Sequence, residues 1–325
     1  MLVLNQREVE SLLDPDALRV AVGAALADLS AGRASMPTRI AALVPERDAL
    51  LAVMPAYLPS AGALTTKLVS LFPRNTDRPT HQAVIVAFDP ATGTPDALMD
   101  GEAITAARTA AGSALATDLL ARQDAATLAV LGTGVQARAH LRALPRVRRF
   151  REIVIASRDG TKALALAREI AAQTGMPART ASFSEAVRGA DVVCACTHSA
   201  EPVVRREWLR DGTHVNSVGY NTAGREVDGE TVAASLVVIE SRAAALAPPP
   251  GGSNDLLWPI RDGLIVASHI HAELGELVSG ARPGRADAAQ LTLYKSVGVA
   301  VEDAAAAAMV LRLARERGVG RTIEL

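Results

Sequence analysis

The rhythm of apolar and polar residues changes near residue 126. Before that point an opening helix is followed by alternating runs. Asp14 is placed to cap and Pro15 suits a first helical turn; Leu18, Val22, Ala25, Leu26 and Leu29 then form one stripe that stops near Gly32. The runs TRIAALV, ALLAVMPAYL, LTTKLVSLF, HQAVIVAFD and PDALMD read as strands, separated by the turn signals PERD, PSAG and DPATGTP. Strands on such short connections predict an antiparallel sheet. An Ala-rich helix is predicted from about residue 100 to 122.

After residue 126 short apolar strands alternate with helices: ATLAVLG, EIVIAS, ARTASF, DVVCACT, THVNSVG and SLVVIES, with a helix after each of the first five. That grammar predicts a parallel sheet covered on both faces. The segment APPPGGSND (247–255) is the strongest breaker and is expected to carry no regular structure. A last helix is predicted around 298–317. The fold class expected is α/β: a Rossmann-type nucleotide domain with helices on both faces of a parallel sheet, joined to a mainly antiparallel α+β domain.

One residue breaks its pattern. In GALTTKLVSLFP (62–73), Lys67 shares a strand face with Thr65, Val69 and Leu71, a face that is otherwise largely apolar. An edge strand guarded by a lysine, a snorkelling lysine and a lysine facing an enclosed site all fit this pattern.

The most specific local signal is AVLGTGVQARAHL, which places Gly132-x-Gly134-x-x-Ala137 after a strand and at the start of a helix. Gly132 permits the tight turn, Gly134 lets backbone approach a pyrophosphate, and Ala137 lets the helix pack close to the strand. A dinucleotide site is therefore expected. The next strand ends at Ser157 and Arg158, where NAD-binding chains place an acidic residue. Serine and arginine suit a 2′-phosphate, so NADP(H) is favoured. Asp159, slightly beyond, keeps NAD(H) as the alternative, and a solvated surface arginine is the competing reading of Arg158.

Composition narrows the partners. The 325 residues are 49% hydrophobic but only 3% aromatic, so the cores must be aliphatic. With 34 Lys+Arg against 35 Asp+Glu, nothing favours nucleic acid or an anionic membrane. No signal peptide or membrane span is evident, and two cysteines in so long a chain suit a reducing compartment, so a cytoplasmic protein is expected. Cys194 and Cys196 point the same way on a strand and read as buried structural thiols. His269 and His271 lack a third ligand at supporting spacing, so no metal is expected.

Taken together, these segments resemble the ornithine cyclodeaminase/mu-crystallin family over nearly the whole chain. The resemblance rests on Arg39 after MPT, on TTKLVS, on residues 81–116, and on VLGTGVQARAHL, ADVVCACTHSAEPVV, GTHVNSVGYN and TLYKSVGVAVEDAAAA. It implies a substrate and dimerisation domain from residues 1–118 and 300–325, a nucleotide domain from 119–299, and a homodimer. It implies that Arg39, Lys67 and Arg108 hold a substrate carboxylate near the nicotinamide; a helix-surface arginine is the competing reading of Arg108. It places Gly132, Thr133, Gly134, Val135, Gln136, Thr197, Val218 and Gly219 at the nucleotide. Lys67 beside two arginines should lose affinity for its proton and serve as a proton carrier. Cyclodeaminases of the family carry an aspartate where this chain has Asn221 in GYNTAGREVD. An amide cannot shuttle a proton. Asn221 is therefore the catalytic position that departs, unless it is only a turn residue, and Asp228 is expected to cap the next helix.

The reading this leaves is NAD(P)H-dependent reduction of a small cyclic α-imino acid such as Δ1-pyrroline-2-carboxylate. Ornithine cyclodeamination, alanine-dehydrogenase-like reductive amination and a non-catalytic nucleotide- and ligand-binding protein are the alternatives.

Overall fold

The computed structural model describes residues 1–324. They divide into two compact units, residues 1–108 with 298–324 and residues 109–297.

In chain order the first unit contributes β1 (Leu2–Leu4), β2 (Ile40–Val44), β3 (Ala49–Leu58), β4 (Ala63–Leu71), β5 (His81–Phe88) and β6 (Pro95–Asp100). The second contributes β7 (Thr127–Leu131), β8 (Glu152–Ala156), β9 (Ala178–Thr180), β10 (Val192–Ala195), β11 (His214–Ser217), β12 (Leu236–Ile239), β13 (Ile270–Glu273) and β14 (Thr292–Lys295). The short β15 (Arg321–Thr322) belongs to the first unit. The helices are α1 (Gln6–Leu12), α2 (Pro15–Ser30), α3 (Gly101–Leu120), α4 (Val135–Ala143), α5 (Gly160–Thr174) and α6 (Phe183–Gly189). They continue with α7 (Gly229–Ala234), α8 (Arg242–Ala245), α9 (Asn254–Arg261), α10 (Leu274–Val278) and α11 (Ala300–Arg317). The division between the units falls inside α3.

The first unit is one sheet in the order β15-β1-β6-β5-β4-β3-β2. It is antiparallel as the short turns predict, except where β1 lies parallel to β6. Asp14 caps α2 through Ala17 N, with Pro15 in the first turn. The helix α11 packs on β3, β4, β5 and α2. On that side Lys67 stands in the row Met54–Lys67–Ile85, with both flanking side chains buried. β4 lies between β3 and β5, so Lys67 guards no edge. The opposite side carries the row Ile40, Val53, Leu68 and Val84.

The second unit is an all-parallel sheet in the order β13-β12-β14-β11-β10-β7-β8-β9. Leu128, Val130, Ile153, Ile155 and Cys194 pack with Ala137, Leu141 and Leu166 on one face. Ala129, Leu131, Val154 and Val193 pack with Val187, Val232 and Leu256 on the other. Such strands read as continuous apolar runs because both faces are covered. The chain leaves β7 toward β8 and β9, then returns to lay β10 on the other side of β7. The switch point therefore lies between the carboxyl ends of β7 and β10, where open α/β sheets bind ligands.

Several expectations are corrected. Between β10 and β11 there is only a 3-10 turn at Arg206–Trp208, not a helix. The breaker 247–255 turns helical in its last two residues, because Ser253 caps α9. The strands β13 and β14 have no counterpart in the predicted elements. β14 inserts between β11 and β12, and its four residues are buried on both faces. Asp228 caps α7 as expected.

Candidate active site

The first unit brings Arg39, Lys67 and Arg108 together and adds two acids from the first turn of α11. The Lys67 ammonium lies 2.7 Å from Asp303, with both side chains 2% exposed. Arg108 places Nε 3.0 Å from Asp303 and Nη1 2.9 Å from Glu302. Arg39 donates from Nη2 to the Gly298 carbonyl at 2.6 Å. Thr105 Oγ1 is a long 3.5 Å from Lys67 Nζ. The geometry follows from the elements. β4 points Lys67 at α11, α3 brings Arg108 up one turn beyond Thr105, and the first turn of α11 presents two successive acids.

Burial dominates the electrostatics here. It pulls the Lys67 pKa down to about 8; Asp303 opposes this, while Arg108 and Arg39 reinforce it. Burial disfavours the Asp303 carboxylate, but Arg108 and Lys67 outweigh it and hold its pKa below the usual range. His81, at the start of β5, is depressed to about 4 by burial and then by Lys67 and Arg108, so it is neutral at pH 7. Lys67 and Arg108 thus meet Glu302 and Asp303 directly, and Arg39 lies close enough to add to the field at Lys67.

The second unit brings the nucleotide candidates to one end of its sheet. Gly132 follows β7 with φ +116°, and a Cβ there would stand 2.6 Å from the Cys196 carbonyl oxygen. Only glycine satisfies both demands. Gly134 differs: its φ is −80° and a Cβ would meet nothing within 4 Å. The space above Gly134 is open, as an approaching phosphate requires. Thr133, Val135 and Gln136 complete the turn and the start of α4, whose first N–H groups have no partner within the helix and receive no side-chain cap from Gly134. Ala137 is fully buried, keeping the helix close to the sheet. These residues fit a dinucleotide.

Thr197 and Val218–Gly219 follow β10 and β11, beside that turn. Both loops hang on Glu226. One of its carboxylate oxygens accepts from Thr197 N at 2.6 Å and Thr197 Oγ1 at 2.8 Å; the other accepts from Gly219 N at 2.8 Å and Ser217 Oγ at 3.0 Å. Burial pushes the Glu226 carboxyl pKa up. Asp255 accepts from the Glu226 and Val227 amides and lies 2.9 Å from Lys295 Nζ. Lys295 also donates to Gly219 O at 2.7 Å and Ser217 Oγ at 3.1 Å.

Ser157 and Arg158 follow β8, with Arg158 exposed. Asp159 caps α5, accepting from Thr161 N and Lys162 N. Asn221 donates to the His198 carbonyl at 2.8 Å and accepts from Ala223 N at 2.8 Å. Its amide therefore braces two loops, the turn role weighed above. His269 and His271 each bond a backbone carbonyl.

Sequence reasoning missed Glu302, Asp303, His81, Glu226, Asp255 and Lys295. Two acids opening a helix read as dipole partners. Lys295 carried the same signal as Lys67, a lysine in an apolar run (TLYKSVG).

A switch-point turn built for a phosphate in one unit, together with a buried cationic cluster in the other, defines a two-unit nucleotide-binding protein of the Rossmann type. The chain belongs to the ornithine cyclodeaminase/mu-crystallin family, which it matches over residues 1–318. It is 36% identical to a Δ1-pyrroline-2-carboxylate reductase of Bacillus cereus, with 100% of both chains covered. It is 38% identical to the ketimine reductase mu-crystallin of Mus musculus over 94% of this chain and 95% of that one. Among solved structures, the Δ1-pyrroline-2-carboxylate reductase of Thermococcus litoralis in complex with NADH and L-proline superposes with a TM-score of 0.95. It is 38% identical, and the match covers 99% of this chain and 100% of that one. No helix among the described residues is long and apolar enough to cross a membrane.

Proposed function

We propose that the protein is an NAD(P)H-dependent reductase of small cyclic α-imino acids, of which Δ1-pyrroline-2-carboxylate is the model substrate. One observation carries the reading: a buried lysine poised near pH 8, with Arg39 and Arg108 beside it. An imino acid brings one carboxylate, the anion that neighbouring guanidinium and ammonium groups bind. Arg39 and Arg108 supply the planar donors that orient it, with Glu302 and Asp303 fixing the Arg108 guanidinium. A bound reduced nicotinamide supplies the hydride that the imine carbon accepts. The C=N electron pair then moves onto nitrogen, and the Lys67 ammonium gives that nitrogen its proton. Lys67, left neutral, regains a proton from solvent, while Asp303 holds it in place. The names of the relatives support this chemistry.

A further strand of support concerns the alternative. Cyclodeamination needs several proton transfers, and the Asn221 amide is engaged with backbone and carries no titratable group. For the nucleotide, Arg158 is exposed at the end of β8 while Asp159 is committed to its helix cap, which favours NADP(H) over NAD(H). The exposed row across the first sheet, with Ile40 at 70% and Val84 at 40% exposure, supports a homodimer. A cytoplasmic location fits the paired, unbridged thiols.

The test is direct. NADPH and NADH consumption is measured with Δ1-pyrroline-2-carboxylate and its six-membered homologue, against ammonia release from ornithine with NAD+. Imine reduction at least a hundredfold faster than ammonia release is expected. Proline formation from ornithine without imine reduction sinks the proposal.

A further inference from the structure

Behind the nucleotide turn lies a side-chain cluster that the proposed reaction does not use. Cys194 is the third residue of β10 and Cys196 follows its end, with the two sulfurs 3.6 Å apart. His140 comes from α4, and one donor atom from each of the three residues lies within 4.8 Å of the others. The point equidistant from three atoms so spaced is about 2.1–2.6 Å from each, which brackets zinc–sulfur and zinc–imidazole bond lengths.

The tautomer is set as well. His140 Nδ1 is 2.7 Å from the Gln136 carbonyl, which only accepts, so Nδ1 carries the hydrogen and Nε2 presents a lone pair. Metal-binding histidines are oriented by such a bond from the other ring nitrogen. Ser113 Oγ, fully buried, sits 2.9 Å from Nε2, beside that lone pair. Two thiolates neutralise a divalent ion, so the loaded site carries no net charge; the two thiol protons leave to solvent as the ion enters.

We propose that Cys194, Cys196 and His140 form a site for a thiophilic divalent cation of the zinc class, and that its occupancy opposes dinucleotide binding. The coupling path is short. Cys196 N donates to Leu131 O at 2.8 Å, and the Cys196 carbonyl is the atom that crowds Gly132. His140 rides on α4, the helix whose first turn contains Val135 and Gln136. Drawing the three ligands onto an ion pulls on both walls of the turn through these contacts. Cys196 alone of the three is only half-buried, so the ion enters beside the turn. The opposition is reciprocal: nucleotide must weaken the metal by the factor that metal weakens nucleotide. The site itself stands on the Cys/His geometry, whereas the opposition rests on the nucleotide reading of the Gly132 turn.

The experiment titrates the full chain with Cd2+ and follows the ultraviolet thiolate-to-cadmium absorption, with calorimetry of Zn2+ in the absence and presence of saturating NADPH. One equivalent is expected, weakened about a hundredfold in Cys196→Ser and about tenfold in His140→Ala, and about tenfold by nucleotide on the unaltered chain. Absence of a one-equivalent band, or a band that both variants retain unchanged, overturns the site. A band indifferent to a nucleotide that demonstrably binds overturns the opposition. The nucleotide arm uses the unaltered chain, so a variant that fails to fold does not shelter the proposal. Failure of NADPH to bind at all strikes the nucleotide reading and leaves the band as a separate result.

Discussion

Each unit buries one lysine on an apolar strand, and the two are solved in opposite ways. Lys295 directs its three protons at three close acceptors: Asp255, Ser217 Oγ and the Gly219 carbonyl. Lys67 has one short contact, to Asp303, and two arginines for company. The first lysine is a finished structural joint. The second is held at a pKa of about 8, where burial and two neighbouring arginines outweigh its one acid. Burial alone therefore does not mark a reactive lysine; the degree to which its protons are already committed does.

The sharpest way to break the comparison is to remove each lysine in turn. Lys67→Ala should cut imine reduction by about 10²–10⁴-fold, the contribution of a positioned proton donor, while fluorescence titration of NADPH stays within a factor of a few. Lys295→Met should do the reverse. It leaves the buried Asp255 uncompensated, so denaturant unfolding should lose about 3–5 kcal/mol. Near-normal turnover in the first variant, or unchanged stability in the second, removes the distinction.

A smaller effect concerns pH. Lys67 must be protonated to donate, so the rate should fall above an apparent pKa near 8. Asp303 holds that proton on; in Asp303→Asn the alkaline limb should move down by about one unit or more. A limb that stays put, or moves up, assigns the titration to another group. The smallest effect tests the nucleotide end. Arg158→Ala should weaken NADPH about tenfold, roughly one charge-assisted hydrogen bond, and leave NADH nearly unchanged. Equal losses remove the 2′-phosphate argument.

The same pair of lysines shows what the sequence can express. Strand alternation exposes Lys67 as out of place, and the glycine motif exposes the nucleotide turn, because both signals are local. The partners are not local. Asp303 and Glu302 lie on a helix more than two hundred residues away, and as the opening acids of that helix they have an ordinary reason to be present. Glu226 looks like any acid in a polar loop; only the folded chain shows it tying Thr197 to Gly219. β14 escaped notice for a related reason. Its residues, TLYK, mix polar and apolar types and lack the run of valines that marks β10 and β12.

The division of the chain has a consequence for how the protein is made. The first unit is begun by residues 1–108 but completed by 298–324, with α11 packed on the sheet and β15 paired to β1. On a ribosome, Lys67 and Arg108 emerge well before the acids that neutralise them. At ordinary elongation rates the wait is about ten to forty seconds, during which the second unit can be synthesised and folded whole. The buried Lys67–Arg108–Asp303 cluster is thus assembled last, and a chain interrupted before α11 never acquires it.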